Sequence, residues 1–304
     1  MATIPSTASG GVVTDEFRPS RMLTRWWRFT RRYPVVPGFL LTVLIVAGIF
    51  APVLAPHDPQ QADLRSRHAP PVWLDGGTSD HILGADKHGR DMLSRVIHGA
   101  RFSLMFAGIV IAISAVFGVP YGMISGFLGG WPDEIMMRVV DVIFALPIIL
   151  LGLAFVVVFG QRLDILIGLL AFFSWPGTAR QVRAETLVLK NQDYVSAARL
   201  SGASVPRILF RHILPGVMNT VIVLKTLSVG GLIMTEAILS FLGAGVPPSI
   251  PAWGLMVADG RLYLTVAWWT TVFPGLAIMM TVIGFNFMGD WLRDHFDPRL
   301  RQSA

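Results

Sequence analysis

The residues that nucleotide chemistry would require are not combined in this sequence. A P-loop places a lysine directly after a glycine, so that backbone N–H groups and the ammonium surround the phosphates. The only lysines are Lys87, Lys190 and Lys225, and none follows a glycine. This chain therefore cannot supply a P-loop, and if ATP drives its activity, another subunit hydrolyses the ATP.

Other enzyme chemistry is not indicated either. The sequence has no Gly-x-Ser-x-Gly turn and no His-Glu-x-x-His motif. Five of the seven histidines lie at positions 57, 68, 81, 88 and 98. These spacings contain no i, i+4 pair and match no zinc pattern, so we interpret them as solvated loop residues and predict no metal site.

Coupling to an ion gradient would require acidic residues deep in membrane spans. Glu236 is the single candidate well inside an apolar segment. A structural hydrogen bond and a role in a transport pathway are both open for it. Arg138 and Asp141 are three residues apart and could pair, while Lys225 could extend along its helix toward the membrane surface.

The most distinctive polar segment runs from Asp193 to Pro215. Asp193 is a suitable N-cap, residues 194–201 can form about two helical turns, and Gly202 stands where a left-handed C-cap residue belongs. The pattern predicts a short helix that ends in a glycine elbow.

A second helix is predicted after that elbow. Ser204 is typical of an N-cap, Pro206 fits the first turn, and Pro215 is expected to end the helix. Arg207 and Arg211 are four residues apart and share one face.

The opposite face of this second helix carries Leu209 and Ile213. A capped helical hairpin with paired arginines is suited to docking on a soluble partner. The alternative is a structured loop that only covers the end of the helical bundle.

The composition indicates a membrane protein. Of 304 residues, 53% are hydrophobic and only 14% are charged. The net charge of +6 arises mainly from basic residues beside apolar segments, so membrane orientation explains it better than nucleic-acid binding. The absence of cysteine excludes disulfides and thiol chemistry.

Six apolar segments are candidate membrane spans. The fourth is short, and becomes long enough only if its helix continues past Pro176 toward Arg180. The spans are predicted at residues 35–53, 102–123, 139–159, 165–175, 217–242 and 266–288.

The distribution of basic residues orients these spans. With both termini in the cytoplasm, lysine and arginine number 16 inside and 8 outside, which favours this orientation. Residues 1–33 are predicted as a partly disordered tail and 34–304 as the membrane domain. Within it, 57–101 forms an outer loop with an amphipathic helix, and 178–216 forms an inner loop that contains the hairpin.

The polar hairpin resembles the signature of the integral membrane subunits of bacterial ABC importers. That signature runs Glu-Ala-Ala, three residues, Gly, nine residues, Ile-x-Leu-Pro. Ser196 replaces the glutamate and His212 replaces the isoleucine. The positions that match are Ala197, Ala198, Gly202, Leu214 and Pro215.

Further motifs are similar to the dipeptide and oligopeptide permease branch of this family. They cover the chain from about residue 35 to 301, but nickel and glutathione importers share them. They are Leu83-Gly84-x-Asp86, Gly89-Arg90-Asp91-x-Leu93-Ser94-Arg95, Gly99-Ala100-Arg101-x-Ser103-Leu104, Arg211-His212-Ile213-Leu214-Pro215, Ser240-Phe241-Leu242-Gly243, Pro251-x-Trp253-Gly254, Asp290-x-Leu292-Arg293-Asp294 and Asp297-Pro298-Arg299.

The resemblance implies an all-α, six-span type I importer permease that works by alternating access. The implied partners are a second permease, two cytoplasmic ATPases, an extracytoplasmic binding protein and a peptide cargo. The implied location is the bacterial inner membrane. The coupling residues implied are Asp193, Tyr194, Ala197, Ala198, Gly202, Ala203, Arg207, Arg211, His212, Leu214 and Pro215.

Two alternatives remain open. The same machinery could import nickel, its chelates or glutathione-like peptides. A secondary transporter that works alone would instead show inverted repeats and buried ion ligands, and the sequence shows neither.

Overall fold

The computed structural model describes residues 34–296, and in this range every regular element is a helix. The sole β-type contact there is an isolated bridge between Ala85 and Asp91. The all-α prediction is therefore confirmed. The predicted tail at residues 1–33 and the Asp297-Pro298-Arg299 motif lie outside the described residues.

Most helices follow one another with short connections, whereas residues 55–91, 242–252 and 261–268 form longer links. Two short 3-10 helices, Leu64–Ser66 and Arg261–Tyr263, lie within these links. In chain order the other helices are α1 Val35–Ile49, α2 Ala51–Leu54, α3 Met92–Leu128, α4 Gly130–Ala145, α5 Ile148–Phe159, α6 Leu163–Leu189, α7 Asp193–Leu200, α8 Val205–Ile208, a π-helical turn Leu209–Ile213, α9 Leu214–Phe241, α10 Trp253–Gly260 and α11 Trp269–Phe296.

A stripe of glycines lets α3 and α6 pack closely. A Cβ at Gly118 would lie 2.7 Å from the Trp175 carbonyl oxygen, and one at Gly126 would lie 2.8 Å from the Arg183 carbonyl oxygen. Side chains at these positions would separate the two backbones. Small residues on one face of α3 therefore allow its close packing against α6.

Helix α3 is longer than the sequence suggested. The Asp91 side chain caps its first turn by accepting from the Ser94 amide at 2.8 Å, and the helix then runs without interruption to Leu128. The separate amphipathic helix predicted in the segment 57–101 is therefore wrong. Its residues from Met92 onward are the first turns of the long helix, since no helix-breaking residue separates them from the apolar run.

The predicted span 139–159 is broken. Helices α4 and α5 are bent by 71° at residues 146–147. Proline disfavours helical backbone in the residue before it, and Leu146 accordingly has extended angles of φ −82° and ψ 127°. The prediction of this span took no account of the break that Pro147 causes.

Pro176 does not interrupt α6, so the conditional prediction of a helix that continues past the proline is confirmed. By length and apolar composition, three described helices qualify as membrane spans, namely α3, the run from Val205 to Phe241, and α11. The bent pair α4 and α5 would make a fourth. Six crossings therefore stay a prediction.

Two tryptophans of the later helices bind the start of α3 and the polar segment before it. The Trp253 indole donates to the Val96 carbonyl at 2.9 Å, and the Trp269 indole donates to the Ala85 carbonyl at 3.1 Å. Both rings are buried in the protein. Each indole N–H therefore finds a backbone acceptor inside the fold.

Candidate functional site

The hairpin predicted between Asp193 and Pro215 is present at one end of the bundle. Helix α7 begins at Asp193, with Gln192 rather than Asp193 at the N-cap and no side-chain capping bond. The predicted N-cap was therefore one residue late. The aspartate still lies in the first turn, where its charge is favourable beside the helix dipole.

Gly202 forms the predicted left-handed elbow, with φ +78°. Its amide donates to the Arg199 carbonyl, and the Ala203 amide donates to the Ala198 carbonyl, both at 3.0 Å. These bonds satisfy carbonyls at the end of α7 and fix the turn. Ser204 follows as the N-cap of α8, as expected, but its hydroxyl makes no capping bond.

Pro215 does not end the second helix, and that prediction was wrong. The chain continues from α8 through the π-helical turn into α9, so that residues 205–241 form one helical run. In the turn the Leu214 amide donates to the Leu209 carbonyl, five residues earlier. Pro215 then lies in the first turn of α9, where a missing N–H leaves no bond unmade.

Buried apolar side chains anchor the hairpin to the bundle. Leu209 and Ile213 are buried, which confirms the predicted apolar face. With Val195 and Ile208 they join a cluster that includes Val182 of α6. The hairpin is therefore packed against the ends of the long helices.

Polar contacts further restrict the hairpin. The Arg199 guanidinium lies over the Phe127 ring, 5.0 Å from its centroid. The Tyr194 hydroxyl lies 3.5 Å from the His212 carbonyl, which it faces across the elbow. The Lys190 ammonium donates to the Gly126 carbonyl at 2.6 Å, at the end of α3.

The opposite side of the hairpin is open. Arg207 and Arg211 are exposed, and neither has an ion-pair partner in the part of the chain that the structure describes. Leu200 is 90% exposed and Phe210 62% exposed. Sequence reasoning identified the two arginines but missed these two exposed apolar side chains. For Phe210 a signal existed, since it is adjacent to Leu209 and therefore points away from the predicted buried face.

The remaining predicted coupling residues are distributed over both sides of the hairpin. Ala197 and Pro215 are exposed, while Ala198, Ala203, His212 and Leu214 are half-buried. Ser196 is exposed as well. The combination of exposed apolar, small and cationic residues on a rigid support is suited to insertion into a cleft with acidic rims.

Two ion pairs connect α4 to α6. Arg183 of α6 binds the Asp133 carboxylate with two bonds of 2.6 Å, and Ser125 donates to the same carboxylate. Asp141 pairs with Arg180 at 2.5 Å instead of the expected Arg138. Both ion pairs tie α4 to α6, because Cβ directions rather than sequence distance decide which charges meet.

Glu236 is 2% exposed, and the Ser240 hydroxyl donates to its carboxyl at 2.6 Å. Of the two roles left open for it, this contact supports the structural hydrogen bond. The sequence suggested that Lys225 extends toward the membrane surface, and the structure shows that it does not. Its ammonium donates to the hydroxyls of Ser114 and Thr178 inside the bundle.

The polar segment before α3 is a second ordered region. Burial alone would raise the pKa of Asp86, but the amide and guanidinium of Arg90 with the charge of Arg95 hold that pKa below its usual value. The Arg90 Nε donates to Asp86 at 2.7 Å. Lys87 pairs with Asp259 at 2.6 Å, which ties this segment to α10.

His81 of this segment is not a solvated loop residue, whereas His57 is exposed as predicted. His81 is buried with its Nδ1 3.1 Å from Asp91 Oδ1, and His57 lies 4.0 Å from the other carboxylate oxygen. The ligand atoms of the three residues lie within 4.8 Å of one another. The Asp91 oxygens already accept from His81 and from Ser94, so capping of α3 accounts for this arrangement.

Comparison with protein families gives two matches. Residues 118–302 match the model of "Binding-protein-dependent transport system inner membrane component". Residues 20–71 match the model of "N-terminal TM domain of oligopeptide transport permease C".

Several curated proteins are similar over most of their length. The "Di/tripeptide transport system permease protein DppC" of Pseudomonas aeruginosa is 40% identical over 94% of this chain and 95% of its own. The "Dipeptide transport system permease protein DppC" of Escherichia coli K12 is 42% identical over 91% and 93%. The "Glutathione transport system permease protein GsiD" of Pectobacterium atrosepticum is 38% identical over 99% and 97%.

A solved structure shares the fold. One chain of "Inward facing conformations of the MetNI methionine ABC transporter" is 18% identical and aligns with a TM-score of 0.55. The alignment covers 68% of this chain and 98% of that chain. At this identity the likeness concerns the fold alone, which is that of an ABC importer permease.

Proposed function

The chain belongs to the family of binding-protein-dependent transport system inner membrane components, and we propose that it moves di- and oligopeptides through the membrane as one permease subunit of an ATP-driven importer. In this role it carries no catalytic site. It converts the motion of ATPase subunits into alternating access of a path between helices.

The observation that carries this proposal is the rigid hairpin of α7, Gly202 and the start of the 205–241 helical run. Its inner face is anchored by buried side chains, and its outer face presents Leu200, Phe210, Arg207 and Arg211. A lever needs both properties, since an element that yields at its base transmits no displacement.

We propose that each of two cytoplasmic ATPases receives one such hairpin, from this chain and from a second, homologous permease. Leu200 and Phe210 would fill the apolar part of the ATPase cleft, and the two arginines would pair with acids at its rim. Ala197 and Ala198 allow close approach. Ser196 offers no charge, and the exposed arginines of the hairpin outnumber its one exposed carboxylate, Asp193, so the interface on this chain is mainly cationic.

This assignment sets the orientation. The hairpin and both termini face the cytoplasm, and the polar segment 57–91 faces the extracytoplasmic binding protein that delivers the cargo. ATP and Mg²⁺ are held by the ATPases, and we expect no cofactor in this chain.

Peptide is the cargo that the similar proteins favour, because two of the three named above are dipeptide or di/tripeptide permeases. Glutathione, itself a peptide, is the alternative that the third relative supports. A nickel importer stays a further alternative that no named relative supports.

Reconstitution tests the proposal. We expect vesicles that contain the chain with its co-purifying permease and ATPases to import dialanine only when ATP and the binding protein are both supplied. Import by this chain alone in ATP-free vesicles would establish the secondary transporter instead. Import of Ni²⁺ but not of dialanine would show that the chain belongs to an ATP-driven importer whose cargo is nickel.

A further inference from the structure

A cavity of about 320 Å³ lies between α3, α5, α6 and α9, away from the hairpin. Apolar side chains form part of its wall, and five polar residues converge on the rest. They are Ser114, Ser174, Lys225, Ser228 and Thr235. Its volume is within the range that holds small-molecule ligands.

Most of the hydroxyls keep their oxygen atoms available. Ser174, Ser228 and Thr235 each donate to a carbonyl one turn earlier in their own helix, at 2.6, 2.7 and 2.8 Å. A hydroxyl that donates in this way retains lone pairs that can accept a bond from an ammonium or amide group.

Lys225 is the single cation in this wall. Its ammonium donates to Ser114 and Thr178, whose hydroxyls lie 3.3 Å apart, and these two bonds hold it at the cavity. An ammonium has three N–H donors, so one remains for a further acceptor.

No carboxylate of the described residues compensates this charge. The ion pairs of that part of the chain do not include Lys225. Glu236 lies eleven residues further along the same helical run, about 16 Å along the axis at 1.5 Å per residue, and is bonded to Ser240. An uncompensated cation inside a membrane bundle is costly, and such residues mark ligand or ion pathways.

We propose that Lys225, with the hydroxyls around it, is a contact site for the carboxylate of the cargo on its way through the protein. The charge that the fold leaves unpaired is completed by the passing anion. The same charge repels Ni²⁺ and other cations, so the site favours peptide-like cargo. The inference rests on the proposed function, because it requires that cargo crosses this bundle.

The natural absence of cysteine allows a test that does not depend on transport. In the assembled complex, Ser228→Cys places one thiol of this chain in the cavity wall. We compare its reaction rates with a sulfonate-bearing and a trimethylammonium-bearing methanethiosulfonate, each divided by the rate with a free thiol.

With Lys225 present, we expect the corrected rates to favour the anionic reagent by about tenfold, since a nearby cation attracts one reagent and repels the other. Lys225→Gln should bring the ratio close to one, and Lys225→Arg should preserve it. Ser249→Cys, at an exposed site outside the cavity, is the matched control whose ratio should not respond to Lys225. A ratio at Ser228→Cys that ignores Lys225, or a thiol that never reacts, overturns the proposal.

A transport assay tests whether the group that contacts Lys225 is the carboxylate of the peptide. In vesicles with ATP and binding protein, we expect Lys225→Gln to lower the initial uptake of dialanine at least about fivefold more than that of dialaninamide. Because the binding protein is the same in both complexes, its own preference cancels in this comparison. Equal losses for the two compounds would overturn the carboxylate assignment. If the wild-type complex imports no dialanine at all, the proposed function fails, while the labelling ratio still decides the nature of the cavity.

Discussion

Substitutions at Gly202 can distinguish two properties of the hairpin, its own stability and its fit to a partner. Its backbone is left-handed at φ +78°, and a Cβ added there would meet nothing within 4 Å. A substitution therefore acts within this subunit through backbone strain alone. Any larger effect must arise from a surface that covers the elbow in the complex.

The strain can be ordered by residue type. An ordinary L-residue in left-handed backbone costs about 1–2 kcal/mol, so Gly202→Ala should weaken the elbow by about that amount. Asparagine and aspartate tolerate this region better, so Gly202→Asn and Gly202→Asp should unfold within about 2 °C of the wild-type subunit. The two differ by a charge and little in shape.

In the complex the two variants should separate. We expect Gly202→Asp to leave the protein in the membrane but to uncouple ATP hydrolysis from uptake. An unpaired charge buried at an interface costs on the order of 2–5 kcal/mol, which corresponds to a loss of ATPase affinity of at least about 30-fold. Gly202→Asn should lose much less.

The assay counts dialanine molecules imported per ATP hydrolysed, with binding of the ATPase to the solubilised permease measured in parallel. Normal import and normal ATPase binding in the Gly202→Asp complex would refute the docking role of the elbow. Loss of the variant from the membrane would instead contradict the small strain expected for aspartate.

Three further predictions concern the exposed apolar side chains, the packing of α3 on α6, and Asp86. Leu200→Ser and Phe210→Ser should each weaken ATPase binding about tenfold without lowering the unfolding temperature, because neither side chain is buried in this subunit. A binding titration and a thermal melt of each variant measure the two effects. Gly122→Val should lower the unfolding temperature by an amount equivalent to about 2 kcal/mol, since its Cβ would overlap the backbone of α6, whereas Gly168→Ala, with open space around it, should not lower it. Because the folded-state pKa of Asp86 is lowered, its contribution to the stability of the segment 57–91 should be fully present above about pH 4 and be lost as the pH falls through that lowered pKa. Asp86→Asn should abolish this dependence, as limited proteolysis of the segment at successive pH values would reveal.

Local chemistry made parts of this fold predictable. Glycine at position 202 has few structural roles other than a left-handed turn between two helical patterns, and the apolar spacing of Leu209 and Ile213 fixes which face is buried. From the sequence, the continuation of α6 through Pro176 could only be stated as the condition for a span of sufficient length. Whether neighbouring helices tolerate the missing hydrogen bond is decided by tertiary packing.

The two proline errors have a common cause. Pro147 was read as part of an apolar run, although it forces Leu146 out of helical geometry. Pro215 was read as a helix end, although the preceding π-helical turn shifts the bonding by one residue and accommodates the ring. In both cases hydropathy and residue type were correct, and the local backbone geometry around the proline decided the outcome.

Contacts between distant segments could not be predicted at all. Lys225 appeared to be a residue that reaches for the membrane surface, since the sequence does not reveal that Ser114 and Thr178 converge on its ammonium. The exposure of Leu200 and Phe210 likewise depends on which side of the hairpin the bundle occupies. Residue types identify candidates for such roles, but only the packing of α3, α6 and α9 assigns them.

The error at Pro215 has a mechanical consequence. Because residues 205–241 form one helical run, the exposed Arg207 and the cavity residue Lys225 belong to the same element, about 27 Å apart at 1.5 Å per residue. A hairpin closed off by Pro215 would have needed a flexible joint between docking surface and cavity. With a continuous helix, a displacement imposed at the elbow reaches the cavity wall without a joint that could absorb it. Under the two proposals, ATPase motion would therefore act directly on Lys225 and the cavity wall. The buried cluster around Ile213 anchors the base of the hairpin for this purpose.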